Sequence, residues 1–144
     1  MGKINRFTVL EGVDACGKSV VGKIIAQQKG ALYISTPGED YRKIRKYIDR
    51  QASNKTKLLF YIGTVFDASE RIRLTLPRQE VVCDRYIWSS LITHSAYYDV
   101  EISQLEQIFR PLIQNLVVPD QTILLTITQE EQLARIKRNR NIRR

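Results

Sequence analysis

Cysteine occurs only twice in these 144 residues, and histidine, tryptophan and methionine once each. Cys16 and Cys83 stand far apart, outside any C-x-x-C spacing, so neither a disulfide framework nor a cysteine-rich metal site is in view. No window approaches the ~18 consecutive apolar residues of a membrane span. The start, Met1-Gly2-Lys3-Ile4-Asn5-Arg6, lacks the basic-then-apolar layout of a secretion signal. Internal repeats, low-complexity tracts and Gly/Ser linkers are also missing. The expectation is one cytoplasmic domain over residues 1–144, long enough to bury a sizeable core.

Charge is abundant but uneven. The formal net charge is +8, and six of the 23 basic residues fall between Arg135 and Arg144, a stretch without an acid. The remainder is close to neutral against 15 acids. That distribution argues against a general nucleic-acid-binding surface and asks for a local explanation of the basic end.

Along the chain, short apolar runs alternate with helical periodicity. Phe7–Leu10, Ala31–Ser35, Val81–Cys83 and Thr122–Ile127 read as strands. Lys18–Lys29, stopped by Gly30, reads as a helix. So do Tyr41–Ile48, Thr56–Leu76, Trp88–Tyr98, Ile102–Leu116 and Glu130–Lys137. This alternation predicts an α/β fold: a parallel sheet between two helical layers, with ligands at the carboxyl ends of the strands. Strands that are continuously apolar are expected to be covered on both faces.

The segment between the first strand and the first helix, Gly12-Val13-Asp14-Ala15-Cys16-Gly17-Lys18-Ser19, matches G-x-x-x-x-G-K-[ST] in full. Gly12 and Gly17 permit backbone angles that turn N–H groups inward as an anion nest. The helix start adds its positive dipole end, Lys18 a point charge for the β/γ-phosphates of ATP, and Ser19 a hydroxyl for Mg²⁺. Asp14 is electrostatically misplaced beside phosphates unless it faces a hydroxyl or amine of a second substrate, or solvent. Cys16 reads as a small filler.

Asp84-Arg85-Tyr86 follows the third strand and therefore falls on the same sheet edge. Asp84 suits Mg²⁺, directly or through water, and Arg85 suits a second phosphate because its planar fork matches phosphate geometry. The competing reading is an Asp84–Arg85 ion pair with no function.

Taken together these segments resemble the thymidylate kinase family. Its opening strand and P-loop are similar to Phe7–Asp14 leading into Gly17-Lys18-Ser19, and its D-R-Y-x-x-S motif to Asp84-Arg85-Tyr86 with Ser89. Thr36-Pro37-Gly38, Leu58-Leu59-Phe60, Pro119-Asp120-Gln121-Thr122 and Glu131–Ile136 resemble further family segments. The resemblance implies a three-layer P-loop NTPase fold and ATP-dependent transfer of a phosphoryl group to a nucleoside monophosphate. Lys18 and the loop residues 12–19 would bind ATP, Ser19 and Asp84 would organise Mg²⁺, and Arg85 with Ser89 would hold the acceptor phosphate. Asp14 would contact the acceptor's sugar side, Phe60 would stack on its base, and Pro37 would lie nearby. Family members without an arginine in the loop, where Ala15 stands here, bring arginines from a mobile LID, making Arg138, Arg140, Arg143 and Arg144 candidates, with Arg138 and Arg143 placed in the catalytic set. Homodimerisation through apolar helix faces is a further family expectation.

The pattern also departs from the family. Ser35 occupies a common arginine position, for which Arg42 or Arg45 are substitutes; Thr64 replaces an arginine that reads thymine; Thr93 and His94 replace Tyr-Gln. These point to altered base contacts, with Arg45, Thr64 and His94 among the substrate-facing residues, and to another pyrimidine as an alternative acceptor. The family's last strand and terminal helices have no counterpart here, so the sheet is expected to keep an unprotected edge. Two rivals stay open: a nucleotide-binding module without turnover, and a deoxynucleoside kinase.

Overall fold

The computed structural model describes residues 5–142. Four parallel strands form one sheet: β1 (Phe7–Gly12), β2 (Leu32–Ser35), β3 (Val81–Asp84) and β4 (Gln121–Leu125), in spatial order β2-β3-β1-β4. The helices are α1 (Lys18–Lys29), α2 (Arg42–Gln51, entered through a 3₁₀ turn at Glu39–Tyr41), α3 (Asn54–Thr75), α4 (Ile87–Tyr98), α5 (Ile102–Ile113) and α6 (Gln129–Ile142). Among the described residues no helix is long and apolar enough to cross a membrane.

Local chemistry sets the boundaries. Gly30 closes α1 in the left-handed conformation (φ 64°), its N–H reaching the carbonyls of Ala26 and Gln27. α3 starts two residues before the expected Thr56 because Ser53 caps it, accepting the Thr56 N–H at 3.3 Å. α5 stops three residues before the expected Leu116. Pro111 sits in its last turn, and Asn115 and Leu116 bond back to Leu112 and Ile113 in tighter turns.

The main core lies between the sheet and α3, α4 and α5. Phe7, Val9, Val81 and Cys83 of the sheet meet Val65, Ile72, Leu91, Leu105 and Phe109 of those helices. Fully burying each such side chain contributes about 1.5–3 kcal/mol. Phe7 and Tyr86 add an edge-to-face ring pair at 5.3 Å. On the other face α1 sits close: a Cβ on Gly22 would fall 2.8 Å from both Leu10 Cδ1 and the Tyr33 ring.

Coverage of the strands is unequal: the expectation of two covered faces holds for β1 and β3 and fails at β4. β1 and β3 are buried almost throughout, whereas β4 pairs only with β1 among the described residues and leaves Leu124 68% exposed. The register brings the carboxyl ends together. Leu10 and Ser35 both stand level with Asp84, and Gly12 stands level with Leu125.

Candidate functional site

The loop between β1 and α1 turns through left-handed backbone angles at Gly12 (φ 145°), Ala15 (φ 65°) and Gly17 (φ 101°). Gly12 has no room for a side chain, because a Cβ would lie 2.9 Å from Cys16 Sγ and closer still to the Leu125 carbonyl. α1 then opens at Lys18 without a side-chain cap and with no acid in its first turn, so its positive end faces the loop undiluted. Lys18 is buried, its Nζ donating to the carbonyls of Gly12 (2.8 Å) and Val13 (2.7 Å) and lying 3.6 Å from Cys16 Sγ. The ammonium is thus held at the mouth of the loop. Val13 and Asp14 are exposed beside it.

Asp84 ends β3 directly across from this loop. Its Oδ2 accepts from Ser19 Oγ at 2.5 Å and from the Tyr33 hydroxyl at 3.1 Å. Burial, with the Asp84 charge adding to it, pushes the Tyr33 phenol up to about 12, so it keeps its proton and remains a donor. Asp84 Oδ1 is buried and has no hydrogen-bond partner among the described residues. A carboxylate oxygen left so is expected to be satisfied by something that arrives. Among the described residues no group of three or more His, Cys, Asp or Glu could hold a metal by itself. One carboxylate and one hydroxyl with open ligand positions fit Mg²⁺, which takes few protein ligands and completes its shell with water and phosphate oxygens.

Arg85 follows in a left-handed conformation (φ 69°). That angle costs an ordinary residue on the order of 1–3 kcal/mol and persists only where surroundings over-determine it. They do so here. The Arg85 N–H donates to Leu10 O (2.9 Å), and its carbonyl accepts from Thr36 Oγ1 (2.9 Å) and Cys83 Sγ (3.0 Å). Its guanidinium is gripped by the Asp14 carboxylate through one terminal nitrogen and by Ser89 Oγ (3.2 Å) through the other. Asp84 therefore pairs with Ser19 and Tyr33, and Arg85 pairs with Asp14 of the loop; the functionless Asp84–Arg85 pair is not formed.

The residues that the resemblance assigns to the base form a second cluster on α2, α3 and α4. Phe60 packs edge-on against Tyr41 (6.0 Å) and Tyr61 (5.4 Å). Arg45 is engaged by the Tyr61 hydroxyl (3.2 Å) and Asp49 (3.4 Å). Thr64 is buried and donates to the Tyr61 carbonyl one turn back at 2.8 Å. His94 is buried, its Nδ1 lying 2.7 Å from the Ser90 carbonyl, which makes Nδ1 the protonated nitrogen; Tyr61 and Tyr98 flank the ring. Burial, and secondarily the nearby Lys57 charge, hold this imidazole below its usual 6.5, hence neutral at pH 7. Pro37, joined to Thr36 by a cis bond, lies on the sheet-edge side, where the Thr36 hydroxyl touches Arg85.

Three residues given no role in the sequence reading adjoin the loop and the Arg85 turn. Arg135 of α6 reaches the Ala15 carbonyl at 3.3 Å while its Nε pairs with Glu131 at 2.7 Å, and Gln132 donates to the Asp14 carbonyl at 3.1 Å. Arg138 is exposed, one turn further along; Arg143 and Arg144 lie outside the described residues, as does the side chain of Arg140. The signal for Arg135 was present but indirect. β4 ends level with Gly12, and Thr128 caps α6, so the first turns of that helix must cross the loop. The third missed residue is Glu11, buried behind Arg85.

Comparison with known proteins agrees with this geometry. A family model described as thymidylate kinase matches residues 10–144. A probable thymidylate kinase from Methanococcus aeolicus is 30% identical over 136 residues, covering 92% of this chain and 67% of that protein. One from Methanocaldococcus jannaschii is 29% identical over 137 residues, covering 92% and 70%. The chain thus spans about two thirds of the length of these curated relatives. Among solved structures, a thymidylate kinase from Candida albicans superposes with a TM-score of 0.75 at 23% identity, covering 92% of this chain and 68% of that one. A thymidylate kinase from Ehrlichia chaffeensis gives 0.72 at 20% identity, covering 94% and 84%.

Proposed function

The chain belongs to the thymidylate kinase family, and on that premise we propose that it is an ATP-dependent nucleoside monophosphate kinase whose acceptor is dTMP or a related pyrimidine monophosphate. The observation that carries this reading is the pairing of two phosphate-binding cations at one sheet edge. Lys18 stands behind the loop after β1, Arg85 stands at the end of neighbouring β3, and Asp14 reaches from the loop to Arg85. Lys18 and the loop amides take the ATP phosphates; Arg85 and Ser89 take the acceptor phosphate.

An acceptor phosphate oxygen then attacks the γ-phosphorus as the bond to the β–γ bridging oxygen breaks, yielding a nucleoside diphosphate and ADP. The acceptor is already an anion at neutral pH, so the work is positioning and charge neutralisation. Ser19 and Asp84 are the residues that would hold Mg²⁺, which when bound neutralises charge on the phosphate oxygens. Asp14, once released by Arg85, is free for the acceptor's sugar hydroxyl. Arg135, set over the loop by Gln132 and Glu131, is the α6 arginine that touches the loop and would face the transferring group, with Arg138 and Arg143 further along the same basic segment. Phe60 supplies stacking for the base, and Pro37, Arg45, Thr64 and His94 shape its surroundings.

The protein acts in the cytoplasm in this reading. It pairs as a homodimer through exposed apolar positions such as Trp88 and Ile92 on α4 and Ile108 and Leu112 on α5, which sedimentation would test. Function is tested by ADP release from ATP and Mg²⁺ with a panel of nucleoside monophosphates and nucleosides. Turnover with monophosphates alone supports the kinase. Turnover with nucleosides alone, or tight ATP binding with no turnover, overturns it.

A further inference from the structure

Glu11 is the next-to-last residue of β1, just before Gly12 opens the phosphate loop, and nine-tenths of it is buried. Its carboxylate accepts the Tyr86 N–H through Oε1 at 3.1 Å and the Ser89 hydroxyl through Oε2. Both donors follow Arg85 within four residues, and the Ser89 oxygen is the one that accepts from the Arg85 guanidinium. Resting on the functional reading above, we propose that Glu11 is a positioning residue that sets Arg85 for the acceptor phosphate, by orienting the Ser89 hydroxyl and clamping the turn after Arg85.

The argument is one of hydrogen-bond polarity. A serine hydroxyl has one proton and two lone pairs. A carboxylate is acceptor-only, so Glu11 draws the Ser89 proton inward, and the Ser89 lone pairs are left facing outward toward Arg85. Arg85 is then held from two directions, by Ser89 on the helix side and by exposed Asp14 on the loop side. The Tyr86 N–H bond does the second job. It fixes the peptide immediately after a left-handed arginine, whose own N–H and carbonyl are already committed to Leu10, Thr36 and Cys83.

A buried carboxylate is a poor way to fill space. Burial raises the Glu11 carboxyl above its usual range, while the bonds from Ser89 and Tyr86 and the Arg85 charge pull it back. All the groups that offset the burial are those of the Arg85 turn. Glutamine at this position keeps the volume and one acceptor oxygen, but its amide can donate to Ser89 and reverse the hydroxyl.

The test is a double-mutant cycle read by equilibrium binding. Dissociation constants for dTMP and for ATP are measured on the wild type, Glu11→Gln, Arg85→Ala and the double variant, with thermal unfolding of each. The expectation is that Glu11→Gln weakens dTMP about tenfold, as loss of orientation at one charge-assisted contact does, and leaves ATP within about twofold. In the Arg85→Ala background the same change should add nothing, because residues acting through one group are not additive. Equal weakening of dTMP and ATP, or full additivity in the double variant, overturns the proposal and leaves Glu11 a structural residue. An unchanged dTMP affinity in Glu11→Gln with a weakened one in Arg85→Ala also overturns it, while leaving the functional reading intact. Unchanged dTMP affinity in Arg85→Ala overturns both.

Discussion

The end of this molecule proposed to take phosphates and the end proposed to take the base are built by different means. At the phosphate end the functional groups hang from fixed backbone. The loop curls at Gly12, Ala15 and Gly17, and the Arg85 peptide is bonded to Leu10 of β1, Thr36 just past β2 and Cys83 of β3. At the base end, side chains on α2, α3 and α4 hold one another: Arg45 with Tyr61 and Asp49, Thr64 with its own helix, His94 between tyrosines. A backbone site tolerates little change because its shape is covalent and local. A side-chain site can be repacked one residue at a time. Transfer chemistry should therefore be brittle and base preference soft.

The hardest blow to the phosphate end is Lys18→Ala. Removing a preorganised charge at the reacting centre should cut the transfer rate on the order of 10³-fold. The circular dichroism spectrum should stay that of a folded protein, since the ammonium bonds only within the loop, to the Gly12 and Val13 carbonyls and Cys16 Sγ. Retained activity would erase the distinction between the two ends. Arg85→Ala comes next. It should raise the acceptor KM roughly ten- to hundredfold, charge-assisted bonds being worth about 1.5–3 kcal/mol, with the ATP KM barely moved in steady-state kinetics.

Thr64→Val probes the soft end. With the hydroxyl already spent on the Tyr61 carbonyl, kinetic constants for dTMP should move less than about threefold and stability by no more than ~1 kcal/mol. A tenfold rise in the acceptor KM would show that this hydroxyl reads the base and would narrow the contrast. The smallest effect concerns His94, the only histidine. Its folded pKa lies below 6.5, so the unfolded chain takes up the proton first. The stability this gives is complete above pH 6.5 and declines as pH falls through 6.5 toward the folded value. The slope there is at most about 1.4 kcal/mol per pH unit. Replacing His94 with Gln should flatten the dependence of Tm on pH between 5 and 7 by that share, as ~5–7 is where a histidine titrates.

Legibility in the sequence followed the same division. The loop from Gly12 to Ser19 and the Asp84–Arg85 pair were readable because their chemistry is contiguous, and Gly30 announced the end of α1. Parallel pairing followed from alternation, whereas the order β2-β3-β1-β4 is known only from the structure. Contacts made across the fold were not readable. Ser19 and Asp84, 65 residues apart, were brought together only by the family resemblance; Tyr33 meets Asp84 and Glu11 meets Ser89 through separations of 51 and 78 residues, and no local pattern encodes them. The exposed face of β4 was missed because an apolar run is the same string whether or not anything packs on it. Thr64 and Arg45 were selected by position along the chain, which says nothing of whether their polar groups are already occupied.

The grip of α6 on the loop has a consequence of its own. Gln132 and Arg135 touch Asp14 and Ala15 only through main-chain oxygens. Those oxygens are supplied by any amino acid, so the latch is blind to which side chains positions 14 and 15 display. Mutational drift, or deliberate redesign, can swap the outward-facing letters there while the arm stays seated, provided the curl itself survives.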